Sequence, residues 1–573
     1  MFIKQLIISS PTEIIRDIEF KSGLNLIIDD TPVDDSKSTG NNVGKTTVLK
    51  LVDFCLGAKA NIIYTDNENK KETYDVVKNF LVDEKIEIAL VLAEDLNDPK
   101  AKQLEIRRNF LTHKKAVRII NGKPVLDKEF EDELERFIMP EKEAEKPSFR
   151  QIISHNIRYN DESINKTLKT LDKFTSDVEY ETLYLYLLGC NFNEGAKKQA
   201  LISKINQEEI FRERLEKKQS KTTYEIALAL VNDEIEALGE KKSSFNLNET
   251  LEQDLEQLNI VKYNINKISS LISKLEIRRS LIEESKRELE QNISNIDLNQ
   301  LSVLYKEVTS NISGIQKTFE NLVAYHNNMV VEKVKYISQD LPELLKRVKS
   351  SRGELTALLK QEKELTEKVS KGDSFEELEK VIFELNEKYR IKGEYESIIS
   401  QLNEVEENIS ELNSQIESID TYLFSGDFEA VLKEQVKKFN KLFSSISQEL
   451  YGEKYALTFS KETNKKGQQF YKFKSFNANM STGKKQGEIL CFDLAYILFA
   501  DEEQLPCLHF LLNDKKELMH DNQLIKVAEF VQSKNIQLVI SILKDKLPTN
   551  LLEKSHIAVE LSQSRKLFKI ERN

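Results

Sequence analysis

The sequence predicts an α/β domain that is split in two by a long antiparallel α-helical coiled coil. Three observations carry this reading. Short apolar runs bounded by turn residues cluster near both ends, in residues 1–190 and 451–573. Residues 191–450 are instead dominated by Glu, Lys, Asn, Ser, Leu and Ile, with Pro342 as their only proline. Within that stretch, apolar residues recur at alternating spacings of three and four, the period of a coiled-coil seam. A chain of 573 residues also exceeds the ~250–300 at which a single core stops growing.

In the first segment, Ile3–Ser9 and Gly23–Asp29 are apolar runs suited to strands. Lys85–Ala93 and Leu104–Leu111 continue the β signal, and Ala116–Val125 carries an Asn121-Gly122 hairpin turn. Helical patterns follow at Asp127–Ile138, Phe149–Arg158 and Tyr180–Leu188, the last apolar enough for a core helix. In the last segment, Tyr455–Phe459 and Phe470–Phe476 suggest a hairpin and Gly487–Phe499 a helix. Leu508–Leu512 reads as a buried strand, Asn522–Ser533 as a helix and Ile536–Ile542 as a further strand.

Between them, Ile391, Tyr395, Ile398, Leu402, Val405, Ile409, Leu412, Ile416, Ile419 and Leu423 keep the three-four alternation without a break. Leu258, Val261, Ile265, Ile268, Ile272 and Leu275 repeat it. An ordinary bundle of amphipathic helices is the competing reading. Asn292–Asn299, Asp340-Leu341-Pro342 and Lys371-Gly372-Asp373 are expected breaks. A single hairpin of roughly 100 residues per arm would reach about 150 Å at ~1.5 Å per residue, and the breaks would fold it shorter. An antiparallel coil returns the chain to where it left, so the two α/β segments can join as one domain.

Composition limits function. The net charge of −12 excludes a polybasic nucleic-acid binder, though not a local basic groove. Arg107-Arg108, Lys114-Lys115 and Arg118 form such a basic cluster, best read as solvated strand faces. The four cysteines, Cys55, Cys190, Cys491 and Cys507, make no CxxC or Cys/His cluster, so neither a zinc site nor a disulfide framework is expected. No uninterrupted apolar stretch approaches ~18 residues, and a cytoplasmic protein without membrane contact is expected.

Three motifs carry chemistry. Thr39-Gly-Asn-Asn-Val-Gly-Lys-Thr-Thr47 follows the strand Leu24–Ile28 and opens a helix, Lys45–Leu56. Phosphate binding needs that junction, because backbone N–H groups and the helix N-terminus face the anion. In such a P-loop Lys45 contacts the β- and γ-phosphates and the Thr46 hydroxyl binds Mg²⁺; the strict pattern has glycine where Thr39 stands. Met480-Ser-Thr-Gly-Lys-Lys-Gln-Gly487 precedes a helix and can cap a γ-phosphate by the same dipole physics, though Ser-Thr-Gly is also a common turn or N-cap. Leu508-His-Phe-Leu-Leu-Asn-Asp514 is an apolar strand ending in an acid, where a Mg²⁺-binding carboxylate belongs.

Together these motifs resemble the SMC/RecN/RecF-type branch of ABC ATPases, whose split P-loop NTPase head is divided by a coiled-coil insert. Asn41-Asn-Val-Gly-Lys-Thr-Thr47 is similar to its Walker A, Met480–Gln486 to its signature motif with Thr482 in place of a glycine, and Phe510–Asp514 to its Walker B. Val43-Gly-Lys-Thr-Thr, Val52-Asp-Phe-Cys-Leu-Gly57 and Phe492-Asp-Leu-Ala-Tyr look more closely like the YydD-type bacterial proteins, found in multigene systems directed against phage or plasmids. The resemblance implies a head with lobes 1–190 and 451–573 around an insert of 191–450. It implies ATP held by Asn41, Asn42, Val43, Gly44, Lys45, Thr46 and Thr47 of one subunit and capped by Ser481 and Gly483 of another, with Mg²⁺ on Thr46 and Asp514. It also implies a homodimer through ATP-bound heads, DNA as a candidate ligand, and an accessory or effector protein from the same operon. Gln151 stands as a candidate Q-loop residue. Two departures bear on catalysis. Lys515 stands where the hydrolytic Glu should follow Asp514, with Glu517 two residues displaced, and Ser541-Ile-Leu-Lys stands where a switch His is usual. No catalytic residue can be assigned. The alternatives are a hydrolysis-deficient ATP-binding scaffold that recruits an effector, and a RecN/RecF-like DNA repair ATPase.

Overall fold

In a computed structural model of the chain, the described residues are 1–31, 43–65, 73–111, 115–159, 161–171, 174–243, 249–294, 341–369, 376–478, 485–514, 521–544, 547, 549–552 and 554–570. The strands are β1 (Phe2–Ser9), β2 (Ile14–Glu19), β3 (Gly23–Asp29), β4 (Glu87–Ala93), β5 (Gln103–Asn109), β6 (Arg118–Ile120), β7 (Lys123–Pro124), β8 (Ile157–Arg158), β9 (Tyr455–Thr463), β10 (Gln469–Asn477), β11 (Phe510–Asn513), β12 (Gln537–Leu543) and β13 (His556–Leu561). The helices before the insert are α1 (Lys45–Cys55), α2 (Asn61–Tyr64), α3 (Asp75–Asp83), α4 (Phe130–Ile138), α5 (Phe149–Ile152), α6 (Asp161–Asn165) and α7 (Asp177–Leu187). The long helices are α8 (Gly195–Leu215), α9 (Lys221–Ser243), α10 (Glu249–Ser294), α11 (Leu341–Val369) and α12 (Glu376–Leu423). The chain closes with α13 (Gly426–Tyr451), α14 (Lys485–Glu502), α15 (Asp521–Ser533) and α16 (Thr549–Leu552).

A parallel five-stranded sheet has the order β13-β3-β12-β11-β8. Strand β3, Gly-Leu-Asn-Leu-Ile-Ile-Asp, lies between β13 and β12 and is buried at every position, as expected for a strand covered on both faces. β3 and β8 come from the first 160 residues, whereas β11, β12 and β13 come from the last 65. Neither end of the chain can therefore complete the sheet alone. A second, antiparallel sheet has the order β2-β1-β4-β5-β6-β7. α1 touches β3 and β12 of the first sheet and β4 and β5 of the second, which explains why Val48, Leu49, Leu51, Val52 and Phe54 are all buried. The Asn121-Gly122 turn has φ of 47° and 75°, a left-handed pair that joins β6 to β7 as the sequence predicts.

In the basic cluster Arg107 and Lys115 are exposed as expected, Arg118 is half-buried, Lys114 lies outside the described residues, and Arg108 departs from the solvated face. Arg107 pairs with Glu105 and Glu87, and Arg118 with Asp127 at 2.7 Å. Arg108 is buried: it donates to the Phe54 carbonyl in the last turn of α1 and to the Ala58 carbonyl just beyond it, and stacks on Phe54 and Phe130. It therefore caps α1, a use of a strand cation that charge patterning does not reveal. Phe149–Arg158 also departs from a continuous helix, because the chain passes through a 3₁₀ turn at Ile153–His155 and ends as β8 against β11.

The described residues of Met1–Ala196 and Asp420–Asn573 form one compact unit, and those of Lys197–Ser294 and Met329–Ile419 a second. In the second unit, all ten seam residues from Ile391 to Leu423 are buried or half-buried. α9 runs antiparallel to α12, with Lys221 on Glu406 and Glu234 on Lys388, each at 2.5 Å. α10 runs parallel to α12, with Tyr263 on Glu396 and Lys274 on Glu404. α11 packs antiparallel to α10 through Leu344 and Val348 against Leu275. The seam thus serves more than one partner: Val405 packs with Phe211 of α8 and Leu281 of α10. Of the break expected at Asp340-Leu341-Pro342, Leu341 and Pro342 are helical in α11 and Asp340 lies outside the described residues. Lys371–Asp373, and Asn292–Asn299 beyond Ser294, lie outside the described residues.

Because β3 sits between β12 and β13, residues 1–196 and 420–573 expressed as separate polypeptides should copurify as a one-to-one complex. Circular dichroism of each piece alone should lack the parallel-sheet contribution. Two pieces that fold independently and ignore each other in size-exclusion chromatography would refute the shared sheet.

Candidate functional site

The C-terminal end of β3 and the N-terminus of α1 build the site. Gly44 precedes α1 with φ 100°, and a Cβ there would lie 2.8 Å from Leu567 Cβ. Glycine is needed both for the left-handed backbone and for the close approach. Leu567 N–H donates to the Val43 carbonyl at 3.1 Å, and Arg16 holds the Lys566 and Leu567 carbonyls. The end of the chain thereby clamps the loop at its last two residues before the helix. No side chain caps α1 and no acid sits in its first turn, so its leading N–H groups and positive dipole end remain suited to an anion.

Two carboxylates flank this helix start. Lys45 Nζ lies 3.2 Å from Asp29 Oδ2, with the Asp29 side chain fully buried. Asp29 Oδ1 accepts from Thr31 N–H at 3.1 Å and Thr31 Oγ1 at 2.6 Å. Asp514, directly after β11, accepts from the Thr46 hydroxyl at 2.8 Å through Oδ2 and from the Ser541 hydroxyl through Oδ1. Thr46, Asp514 and Ser541 are each buried. The donor set fits Mg²⁺: a hydroxyl and one carboxylate, both hard oxygen donors, touch each other beside a phosphate-binding helix start. Mg²⁺ sites of this kind use one or two carboxylates and leave the other positions to phosphate and water. Among the described residues no group of three or more His, Cys, Asp or Glu could form a cage of its own.

The structure therefore brings Val43, Gly44, Lys45, Thr46, Thr47 and Asp514 to one place. Asn41, Asn42, Ser481, Gly483, Lys515 and Glu517 lie outside the described residues. Gln151 is buried, and its side chain closes a capping box on α5 by accepting from Ser148 N–H at 2.8 Å.

Behind Asp514 stands a fully buried ion pair. Arg158 of β8 binds Asp493 of α14 through two bonds, Nε at 2.5 Å and an Nη at 2.6 Å. It also donates to the carbonyls of Ser163, Lys166 and Thr167, and its own carbonyl accepts from Asp514 N–H at 2.9 Å. His155 Nδ1 lies 3.2 Å from the guanidinium and Nε2 lies 3.2 Å from the Tyr184 hydroxyl, which donates to Leu168. Burial holds the His155 imidazole below its usual pKa, against the raising influence of Asp493. A neutral ring accepting from Arg158 and donating to Tyr184 satisfies every partner. Nearby, Asp53 of α1 accepts from Arg150 and Tyr159, and burial, followed by Asp53, keeps the Tyr159 phenol well above its usual pKa.

Asp29, Arg158 and His155 give no signal in the sequence. Asp493 and Asp53 do, since they lie within Phe492–Tyr496 and Val52–Gly57, yet their described contacts are structural.

The family described as an uncharacterised protein conserved in bacteria (DUF2326) matches residues 446–572. No curated protein matches the sequence. Among solved structures, the chain is similar to the Smc head domain with a coiled coil and joint from Pyrococcus yayanosii, at 16% identity and TM-score 0.38, covering 100% of this chain and 99% of that one. It is similar to the Smc head domain with an extended coiled coil, bound to the C-terminal domain of ScpA, from Pyrococcus furiosus, at 14% identity and TM-score 0.35, covering 95% and 90%. It is also similar to the recombination mediator protein RecF-ATPrS of the RecFOR pathway, at 10% identity and TM-score 0.32, covering 96% and 94%. These likenesses are distant and span nearly the whole chain.

Asp493→Asn leaves the buried Arg158 charge without its counter-ion. It should destabilise the protein by about 3–5 kcal/mol, read as a lowered urea midpoint. A variant that unfolds at the wild-type midpoint would show that the pair does not support this unit of the chain.

Proposed function

We propose that the protein is an SMC-like ABC-type ATPase that binds ATP with Mg²⁺ and pairs its heads around two nucleotides. The observation that carries this reading is the Thr46–Asp514 hydrogen bond. It joins the helix start of a P-loop sequence to an acid at the end of a strand more than 450 residues downstream, a pairing that the two motifs require if they serve one bound metal nucleotide. Lys45 would neutralise the β- and γ-phosphates, and the α1 N–H groups together with those of Asn41–Thr47 would cradle them. Mg²⁺, when bound, would screen the phosphate charge, with Thr46 and Asp514 holding it. Ser481 and Gly483 of a second subunit would cap the γ-phosphate, which makes head pairing depend on ATP. We assign lobes 1–190 and 451–573 to the head and 191–450 to the insert.

DNA as the substrate of that cycle, a partner encoded in the same operon, and a place in a bacterial defence complex rest on the motif resemblance alone. The alternative of an ATP-binding scaffold that hydrolyses poorly is favoured by Lys515, a cation where a water-positioning carboxylate is expected. A RecN/RecF-like repair role shares the same site. No helix among the described residues is long and apolar enough to cross a membrane, and we place the protein in the cytoplasm.

Lys45→Ala removes the cation facing the phosphates and should abolish ATP binding in calorimetric titration; unchanged affinity would sink the P-loop assignment. Ser481→Arg should leave ATP binding to the monomer intact while blocking ATP-dependent dimerisation. Sedimentation in ATP checks this: a variant that dimerises like the wild type would remove Met480–Gly487 from the site.

A further inference from the structure

We infer that Asp29 is an internal competitor for Lys45, an acid that holds the phosphate-binding cation and must yield it when a phosphate chain arrives. The inference rests on the nucleotide reading and adds to it a built-in brake on binding.

Asp29 terminates β3, one strand away from Ser541 and Leu543 on β12 and directly below the start of α1. Its side chain has no solvent exposure, and that of Lys45 has 13%. Nζ lies 3.2 Å from Oδ2, yet Oδ2 receives no aligned hydrogen bond. The contact is one of charge with little directional bonding. Oδ1, by contrast, is fixed by Thr31 through both its N–H and its hydroxyl. The carboxylate is thus anchored by one oxygen and presents the other to Lys45.

A buried carboxylate and a half-buried ammonium balance each other while no phosphate is bound. A polyphosphate settling on the N-terminus of α1 competes for the same ammonium. It also brings negative charge close to a carboxylate that cannot turn to solvent, where like charges repel strongly because little water screens them. Asp514 does not share this conflict, because the metal that accompanies the phosphates would lie between it and them. Asp29 has no such intermediary among its contacts.

Asp29→Asn keeps the oxygen that accepts from Thr31 and removes only the charge. The test is calorimetric titration of the full-length wild type and variant with MgATP, inorganic triphosphate and adenosine. The variant should bind MgATP and triphosphate about tenfold more tightly, inside the 5–150-fold range of ordinary coupling between sites, with adenosine binding unchanged. Asp29→Ser, which also lacks the charge, should shift the same way and guards against an effect peculiar to the amide. A wild type that binds MgATP beside variants that bind it equally or more weakly overturns the brake and leaves the nucleotide reading standing. If neither wild type nor variants bind MgATP or triphosphate, the nucleotide reading fails and the brake falls with it. Tighter binding of adenosine by the same factor would show general repacking and would also overturn the proposal.

Discussion

The Arg158–Asp493 pair is the contact on which the rest of the α/β unit depends. A guanidinium with no exposure needs all of its N–H groups engaged, because an unmet donor in a dry interior costs about as much as a lost hydrogen bond. Here Asp493 takes two, and the carbonyls of Ser163, Lys166 and Thr167 with the His155 ring share the other three. Meeting those demands forces the 155–168 segment to curl around one side chain. It also draws α14 against β8, the edge strand of the parallel sheet. Through the Arg158 carbonyl the same residue fixes the backbone of Asp514. A carboxylate proposed to hold a metal and a helix proposed to follow the capping motif thus share a single support.

What the sequence reveals follows from how local each signal is. Gly23–Asp29 reads as a buried strand because both of its faces are covered, so the apolar run needs no partner to be recognised. Lys45 at a helix start is likewise local. β8 is not: two residues pair with β11 across some 350 positions, and nothing in Ile157–Arg158 separates them from the helical pattern before them. Arg108 is missed for a related reason. A cation on a strand reads as solvated until the end of α1 is known to lie beneath it. The seam from Ile391 to Leu423 is correctly apolar, but a heptad specifies a face and not the number of helices that share it. Val405, packed with α8 and α10 together, shows how one seam serves several partners.

Charge at the site is arranged in two tiers. The hydroxyls of Thr46 and Ser541 surround one carboxylate with donors, and a metal could replace these contacts at small cost because each hydroxyl can turn to accept or donate elsewhere. Lys45 and Asp29 form the second tier, in which full charges face each other. The first tier is built for exchange of ligands, the second for exchange of counter-ions. Gly44, pressed against Leu567, keeps both tiers in register by fixing where α1 begins.

The interleaving of β3 between β12 and β13 also sets a timetable for the ribosome. Asp29 leaves the tunnel long before its neighbour Leu543 exists. At ~5–20 residues per second, the wait lasts about half a minute to a minute and a half. During that interval an apolar strand has no lateral partners, and α9 and α10 likewise wait for α12, which pairs with them through Lys388, Glu396, Glu404 and Glu406. The nascent chain therefore carries an unpaired interior strand through most of its own synthesis, an apolar edge that is covered only when β12 and β13 emerge.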